Sequence, residues 1–584
     1  DSFEAATLAS VGSTSGGDGS WRLNGMINLP IIKDRLAVRL TLYDRHEGGW
    51  IDDLPQSNIA LPQIDKNNLN WEHTSGGRGS ISFEATPNWN LTAIAYVQHM
   101  QTGNSSDIYP AFATPDDRYV SKSYVRTPWD DTSQMFNVIS TTELGWATAT
   151  VTGSYQHRAL DRNLDTTRFL LAQFGCNELT WNQTCFGPSL VPAVGYSHET
   201  VEAWSGEARL TSKTPGPFKW TIGAFIQDST TNRLSDVAKV NAEGFIAFDP
   251  ATGQAVNQLF SRTNRDTFDQ EALFGEGSYD LTDRITATVG LRWFDSKRTD
   301  AQTILQQFFP GQPTGVEPFQ SFGQNKVFQK YELSYRLGQA GLVYAEAAQG
   351  FRAGGPNFPG GFTVSAPPYQ ADSVWDYEAG WKLYLASQRL YWTGAVFDNE
   401  WSNLQELVPT APFSHIANAG SARSDGFETA VTYTPLEGLT LSGGVTYTDA
   451  RLVGPQPAQT DPTLQLRSGD RLANVPKWSG NASISYSRPV GSYMASARLD
   501  GIYQSSRPDV VTPLSPTYFV VGASALFDLH LALDSRKNWR VTVDVTNLLD
   551  RYAPTSGKSL DSNLVETESA ARPRTVSLGL ALTY

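Results

Sequence analysis

A chain of 584 residues with a formal net charge of −14 excludes nucleic acid as a partner, because phosphates need a basic surface and no basic run is present. Mean hydropathy is −0.34, and no run approaches the roughly 18 apolar residues of a spanning helix, which leaves a soluble protein or a β-barrel whose lumen-facing residues dilute the signal. The 16 Trp and 23 Tyr favour the barrel, where aromatic girdles sit at both membrane interfaces.

The chain opens Asp1-Ser-Phe-Glu, without an initiator Met or an apolar targeting segment. An exported protein needs such a segment, so the N-terminus is expected to be processed or truncated. Phe3, Ala5, Thr7 and Ala9 already alternate with Glu4, Ala6 and Leu8, and a turn is expected from Gly12. Leu36, Val38, Leu40 and Leu42 form the next clear outward set, after a turn at Pro30–Asp34. Further on, Ile285, Ala287, Val289, Leu291 and Trp293 alternate with Thr286, Thr288 and Arg292. Leu439, Leu441, Val445 and Tyr447 follow the turn Thr434–Gly438, and Val541, Val543 and Val545 alternate with Thr542, Asp544 and Thr546. The last strand puts Val576, Leu578, Leu580, Leu582 and Tyr584 on one face, with Thr575, Ser577, Gly579, Ala581 and Thr583 on the other.

Each short turn carries Pro, Gly, Asp or Asn. The opposite connections, 104–132, 162–197, 229–263, 296–324, 354–373 and 451–469, are long and rich in Gly, Pro, Asn, Gln and aromatics. That asymmetry predicts an all-β fold: one transmembrane antiparallel β-barrel over residues 1–584, with about 22 strands, short periplasmic turns and long extracellular loops.

The two cysteines, Cys176 and Cys185, lie in one such loop and are expected to pair as a disulfide; the alternative is two unpaired thiols. Two thiols with no nearby His fall short of a zinc site, so no metal is expected. The seven His show no metalloprotease spacing and read as surface or lumen polar groups. A barrel hydrolase would need Ser, His and an acid in register, and nothing singles out such a set.

Several segments, in order, resemble the β-barrel part of the TonB-dependent outer-membrane receptors. They are Trp21–Pro30, Asp34–Leu40, Ser205–Ser212, Phe218–Phe225, Ala272–Thr282 and Val289–Arg292. The series continues with Gly350-Phe-Arg-Ala-Gly-Gly-Pro-Asn357, Asn418–Gly420, Gly426–Glu428, Asp544–Tyr552 and the terminal aromatic Tyr584. The resemblance implies active uptake of a scarce, bulky solute, most often a ferric siderophore. Energy would come through TonB acting on an N-terminal plug. Neither the plug nor the peptide that TonB grips is recognisable here, which is the expectation for a truncated chain.

The expected partners are outer-membrane lipid and lipopolysaccharide, the TonB complex through the plug, and a small-molecule ligand such as a metal chelate. No cofactor and no catalytic residue is expected. Candidate ligand contacts are Arg352, Asn357, Phe358, Tyr369, Trp129 and Trp181. Each has a plainer reading in loop packing. The rival function is a passive outer-membrane porin, followed by an outer-membrane enzyme.

Overall fold

The computed structural model describes residues 2–54, 67–114, 117–167, 192–213, 215–241, 246–251, 255–307, 314–317, 319–357, 367–408, 415–456, 465–515, 518–559 and 566–584. Phe358, Trp181, Cys176 and Cys185, and with them the expected disulfide, fall outside these residues.

Twenty-two antiparallel strands form one closed wall. In chain order they are β1 (Glu4–Thr14), β2 (Gly19–Ile32), β3 (Leu36–Glu47), β4 (Glu72–Thr86), β5 (Trp89–Thr102), β6 (Trp129–Glu143), β7 (Ala147–Asp165) and β8 (Ala193–Ser212). Then come β9 (Phe218–Lys239), β10 (Gln258–Asp280), β11 (Ile285–Gln306), β12 (Gln320–Arg336), β13 (Gly341–Arg352), β14 (Asp372–Leu385) and β15 (Leu390–Ser402). The series ends with β16 (Ser421–Leu436), β17 (Leu439–Val453), β18 (Trp478–Val490), β19 (Tyr493–Gln504), β20 (Ser524–Asp534), β21 (Trp539–Thr546) and β22 (Thr575–Thr583). Each strand pairs with its sequence neighbours, and β1 pairs with β22, from Ala6 opposite Thr583 to Thr14 opposite Thr575. Closure removes the sheet edge, so every ladder group finds its partner within the chain. Two three-residue 3₁₀ turns, Pro110–Phe112 and Gly338–Ala340, lie in the connections.

Alternation decides the two faces. Val11, Leu23, Leu42, Ile81, Val289, Leu291, Val576, Leu578 and Leu580 are all exposed and point outward. Their chain neighbours face the lumen and find polar partners there: Thr286 donates to Asp280 Oδ1 at 2.6 Å, and Thr288 lies 2.8 Å from the Ser278 hydroxyl. Gly438, at φ +81, closes the β16–β17 turn where an added Cβ would stand 2.0 Å from the Ser487 carbonyl oxygen.

The expected turn at Gly12 is instead strand, since β1 pairs through Thr14. The larger difference lies in β7 to β11, which run well past the points where sequence alternation fades. β9 continues to Lys239 and β10 begins at Gln258, inside the segment 229–263 expected to be loop. A strand of this length spans roughly 70 Å along its axis, far more than the ~25 Å apolar band requires even when tilted. Above the band an outward apolar row has no function, yet the backbone ladder persists.

Candidate functional site

Inward side chains line the lumen as paired charges. Arg45 lies 3.0 Å from Glu72, Arg298 2.8 Å from Asp266, Lys330 3.2 Å from Glu346, and His530 2.6 Å from Asp544. Arg292 stands over the rings of Phe225 and Phe274 at 5.6 and 5.7 Å, a cation–π arrangement. Beside it Phe294, Phe328 and Phe351 stack, with centroids 4.1 to 5.4 Å apart.

Loops above the wall are tied into two small cores. Trp50, Ile51, Ile108 and Ala570, with Tyr119 and Tyr552, join the β3–β4, β5–β6 and β21–β22 loops. Ile108 and Glu568 exchange two backbone hydrogen bonds there, at 2.8 and 2.9 Å. Burial pushes the Tyr119 and Tyr552 phenols up, and for Tyr552 the Glu568 carboxylate that it bonds adds to the shift. The second core, Leu404, Ala422, Leu452, Leu472 and Val511 with Trp401, joins the β15–β16, β17–β18 and β19–β20 loops.

Against the wall β13–β20 lies a cavity of about 980 Å³, within the range of small-molecule sites. Tyr344, Lys382, Glu428, Asn481 and Gln504 line it from the strands, and Arg507 and Ala553–Thr555 from above. Arg507 is 7% exposed. Its Nη2 donates to the Thr555 carbonyl, and its Nη1 has no partner among the described residues. An unpaired guanidinium donor beside a cavity suits an anionic acceptor. Sequence reasoning missed Arg507. Its only signal was an Arg in a loop, and its burial depends on a contact with the β21–β22 loop.

Three expected contact residues come together elsewhere. Arg352 Nε donates to Asp372 Oδ2 at 2.9 Å and its Nη2 to the Gln405 carbonyl at 3.1 Å, while the guanidinium covers Trp401 at 4.9 Å. Asp372 is fully buried. Asn357 is equally engaged: its Nδ2 donates to the carbonyls of Pro367 and Ile416, and its Oδ1 accepts from the Ile416 N–H. Tyr369 exchanges backbone hydrogen bonds with Gly355 and accepts from Arg298 at 3.3 Å, and burial pushes its phenol up. These residues bind the β13–β14 loop to the hairpin Gln405–Val408/His415–Asn418. Trp129 is not with them; it lines a second cavity over β5–β7.

The family model for the β-barrel of TonB dependent receptor-like proteins matches residues 88–548. The chain is 26% identical over 323 residues to the metal-pseudopaline receptor CntO of Pseudomonas aeruginosa, covering 55% of this chain and 42% of that one. It is 23% identical over 321 residues to the pesticin receptor of Yersinia enterocolitica, covering 53% and 44%. It thus spans less than half the length of these curated relatives. Among solved structures, the ferric yersiniabactin uptake receptor FyuA of Yersinia pestis superposes with a TM-score of 0.78 at 16% identity, over 99% of this chain and 80% of that one. The siderophore receptor PiuA of Acinetobacter baumannii gives 0.73 at 15%, over 100% and 82%.

Proposed function

Because the chain belongs to the family of TonB-dependent receptor β-barrels, we propose that it forms the wall of a receptor for active uptake of an anionic metal chelate, a ferric siderophore first. The protein is an outer-membrane barrel. The observation that carries the ligand class is the unpaired Nη1 of buried Arg507 at the edge of the 980 Å³ cavity. Lys382 adds a second cation to that wall, against the single carboxylate of Glu428. A ferric chelate is a bulky anion rich in oxygen acceptors, and a guanidinium fork fits such groups.

The names of the relatives support the same class, since CntO is a metal-pseudopaline receptor and FyuA takes up ferric yersiniabactin. Arg352, Asn357 and Tyr369 then shape the mouth rather than touch the ligand, their polar groups being spent on the loop base. Tight binding of a scarce solute requires work for its release, and in this reading TonB supplies it through a plug. A passive pore has no use for loops joined by two packed cores at its mouth.

The test is binding and uptake. Purified protein titrated with ferric and iron-free chelators should favour the ferric, anionic forms. A strain lacking the gene should lose accumulation of one ferric chelate under iron limitation. Equal, non-saturable permeation of unrelated small solutes would establish the passive pore instead.

A further inference from the structure

We propose that the lumen face of β9–β12 carries a binding site for an aryl acid, an aromatic ring that bears an anionic oxygen. The site occupies a different sector of the wall from Arg507. It stands whether or not the cavity there takes a metal chelate.

Register builds the site. Phe274 of β10, Arg292 of β11 and Phe328 of β12 lie side by side across the ladders, and Phe225, Ala272 and Phe294 form the adjacent row. Their chain neighbours Ile226, Leu273, Leu291, Trp293 and Val327 are exposed on the outward face, so both rows point into the lumen. Gly223 makes room for Phe274 opposite it: a Cβ there would stand 2.3 Å from the ring's Cζ. Phe351 completes the patch, its ring centroid 4.1 Å from that of Phe294 and 4.2 Å from that of Phe328.

Charge sets Arg292 apart. Lys330 lies one inward row below it, opposite Gly290, and three carboxylates answer that cation: Glu346 at 3.2 Å, Glu332 at 3.4 Å and Glu276 at 3.9 Å. Arg158, Arg233 and Arg298 on the same wall each hold an acid as well. Among the described residues the Arg292 guanidinium has no ion pair and no hydrogen bond; it meets the Phe225 and Phe274 rings alone. A guanidinium donates in its own plane and attracts π faces from above and below that plane. Ring contact therefore leaves its N–H groups free for an acceptor.

The arrangement selects a ligand that carries both features. A carboxylate or phenolate oxygen takes the guanidinium fork, and the ring to which it is attached lies against the phenyl faces. An inorganic anion would leave those faces wet, and a neutral arene would leave the cation unpaired. Two sources present this chemistry, a free aromatic acid and an aryl arm of a metal chelate. Iron separates them, because it is present in one and not in the other.

The probes are salicylate, cyclohexanecarboxylate, benzyl alcohol, and the iron(III) complexes of salicylate and of citrate. Binding to the full chain in detergent micelles is read by calorimetry, with protein-free micelles subtracted and heat-modifiable gel migration as the check on folding. Salicylate should bind about tenfold more tightly than cyclohexanecarboxylate or benzyl alcohol. Arg292→Ala should weaken salicylate by about tenfold, and Arg292→Lys should restore part of the loss. Phe274→Leu should reduce the preference for the aryl over the cyclohexyl acid and keep the preference for an acid over the alcohol. Equal affinity for salicylate and its iron(III) complex assigns the site to a free aromatic acid. Tighter binding of that complex than of ferric citrate, lost in Arg292→Ala, assigns it to a chelate arm. Cyclohexanecarboxylate binding as tightly as salicylate would overturn the site, as would salicylate binding that neither Arg292→Ala nor Phe274→Leu alters, or no binding of either aryl probe.

Discussion

Leu578 of β22 lies opposite Val11 of β1 across the seam that closes the barrel, and both side chains are more than half exposed on the outward face. Placing a cation there puts it in hydrocarbon. Leu578→Arg should therefore cost about 2–4 kcal/mol if the site lies near mid-depth. Equilibrium unfolding in lipid vesicles measures this. Ser577→Arg, one residue away and lumen-facing, should cost far less.

Arg507 supplies the second prediction. Arg507→Ala removes the unpaired Nη1 and also frees the Thr555 carbonyl. Affinity for an anionic ferric chelate should fall at least tenfold, roughly the loss of one charge-assisted hydrogen bond. Arg507→Lys should recover part of the loss, since charge returns without the fork. Titration of purified protein at fixed ionic strength gives the numbers, and unchanged affinity in both variants would remove Arg507 from the ligand site.

The strands were legible and the site was not, for one physical reason. Lipid demands an apolar side chain at every second position, so Val576–Tyr584 and Ile285–Trp293 announce themselves. Above the bilayer that demand stops. Thr230, Thr231 and Asn232 of β9 look like loop, yet they pair with Glu202, Val201 and Thr200. Arg507 and Thr555, or Trp71 and Gly103, meet only through folded loops, and no periodicity marks such encounters.

Asp372 anchors the loop base. Its Oδ2 accepts from Arg352 and from the Gln405 N–H, and its Oδ1 from the Arg352 N–H. Asp372→Ala strands those donors, which should cost about 1–3 kcal/mol locally. Arg352 is half exposed and can turn to water, so the lower part of that range applies. Hydrogen exchange should show faster opening of Gln405–Val408 and His415–Asn418 with the wall unaffected.

Acid should tighten the loop tier. Burial raises the carboxyls of Glu406, Asp509 and Asp52, more than Arg352 lowers the first and the Phe519 and Asn68 N–H groups lower the others. A raised folded value means the folded loop holds its proton longer than the unfolded one. The stabilisation is therefore complete below the unfolded value, about 4, and is lost as pH rises through the folded value. Exchange protection of Gln405–Val408, corrected for intrinsic rates, should fall as pH rises through that window, and Glu406→Gln should flatten the dependence.

The last prediction concerns coupling. Work done in the periplasm reaches an extracellular site only through an element with two arrangements that both sides bias. The wall is a poor candidate. Its ladder runs unbroken from β1 round to β22, and rearranging it means breaking paired backbone bonds in a medium that offers no replacements. Among the described residues, what lies outside the wall is turns and loops carrying short paired strands, such as Gln405–Val408/His415–Asn418 and Pro554–Ser559/Glu566–Ala570. A polypeptide of these residues alone should then bind ligand weakly and conduct ions. In a planar bilayer it should give large, weakly selective conductance, and in cells it should admit excluded antibiotics with or without TonB. Accumulation of a ferric chelate that depends on the proton-motive force, by this polypeptide with no other segment supplied, would place the moving element in the wall or its loops.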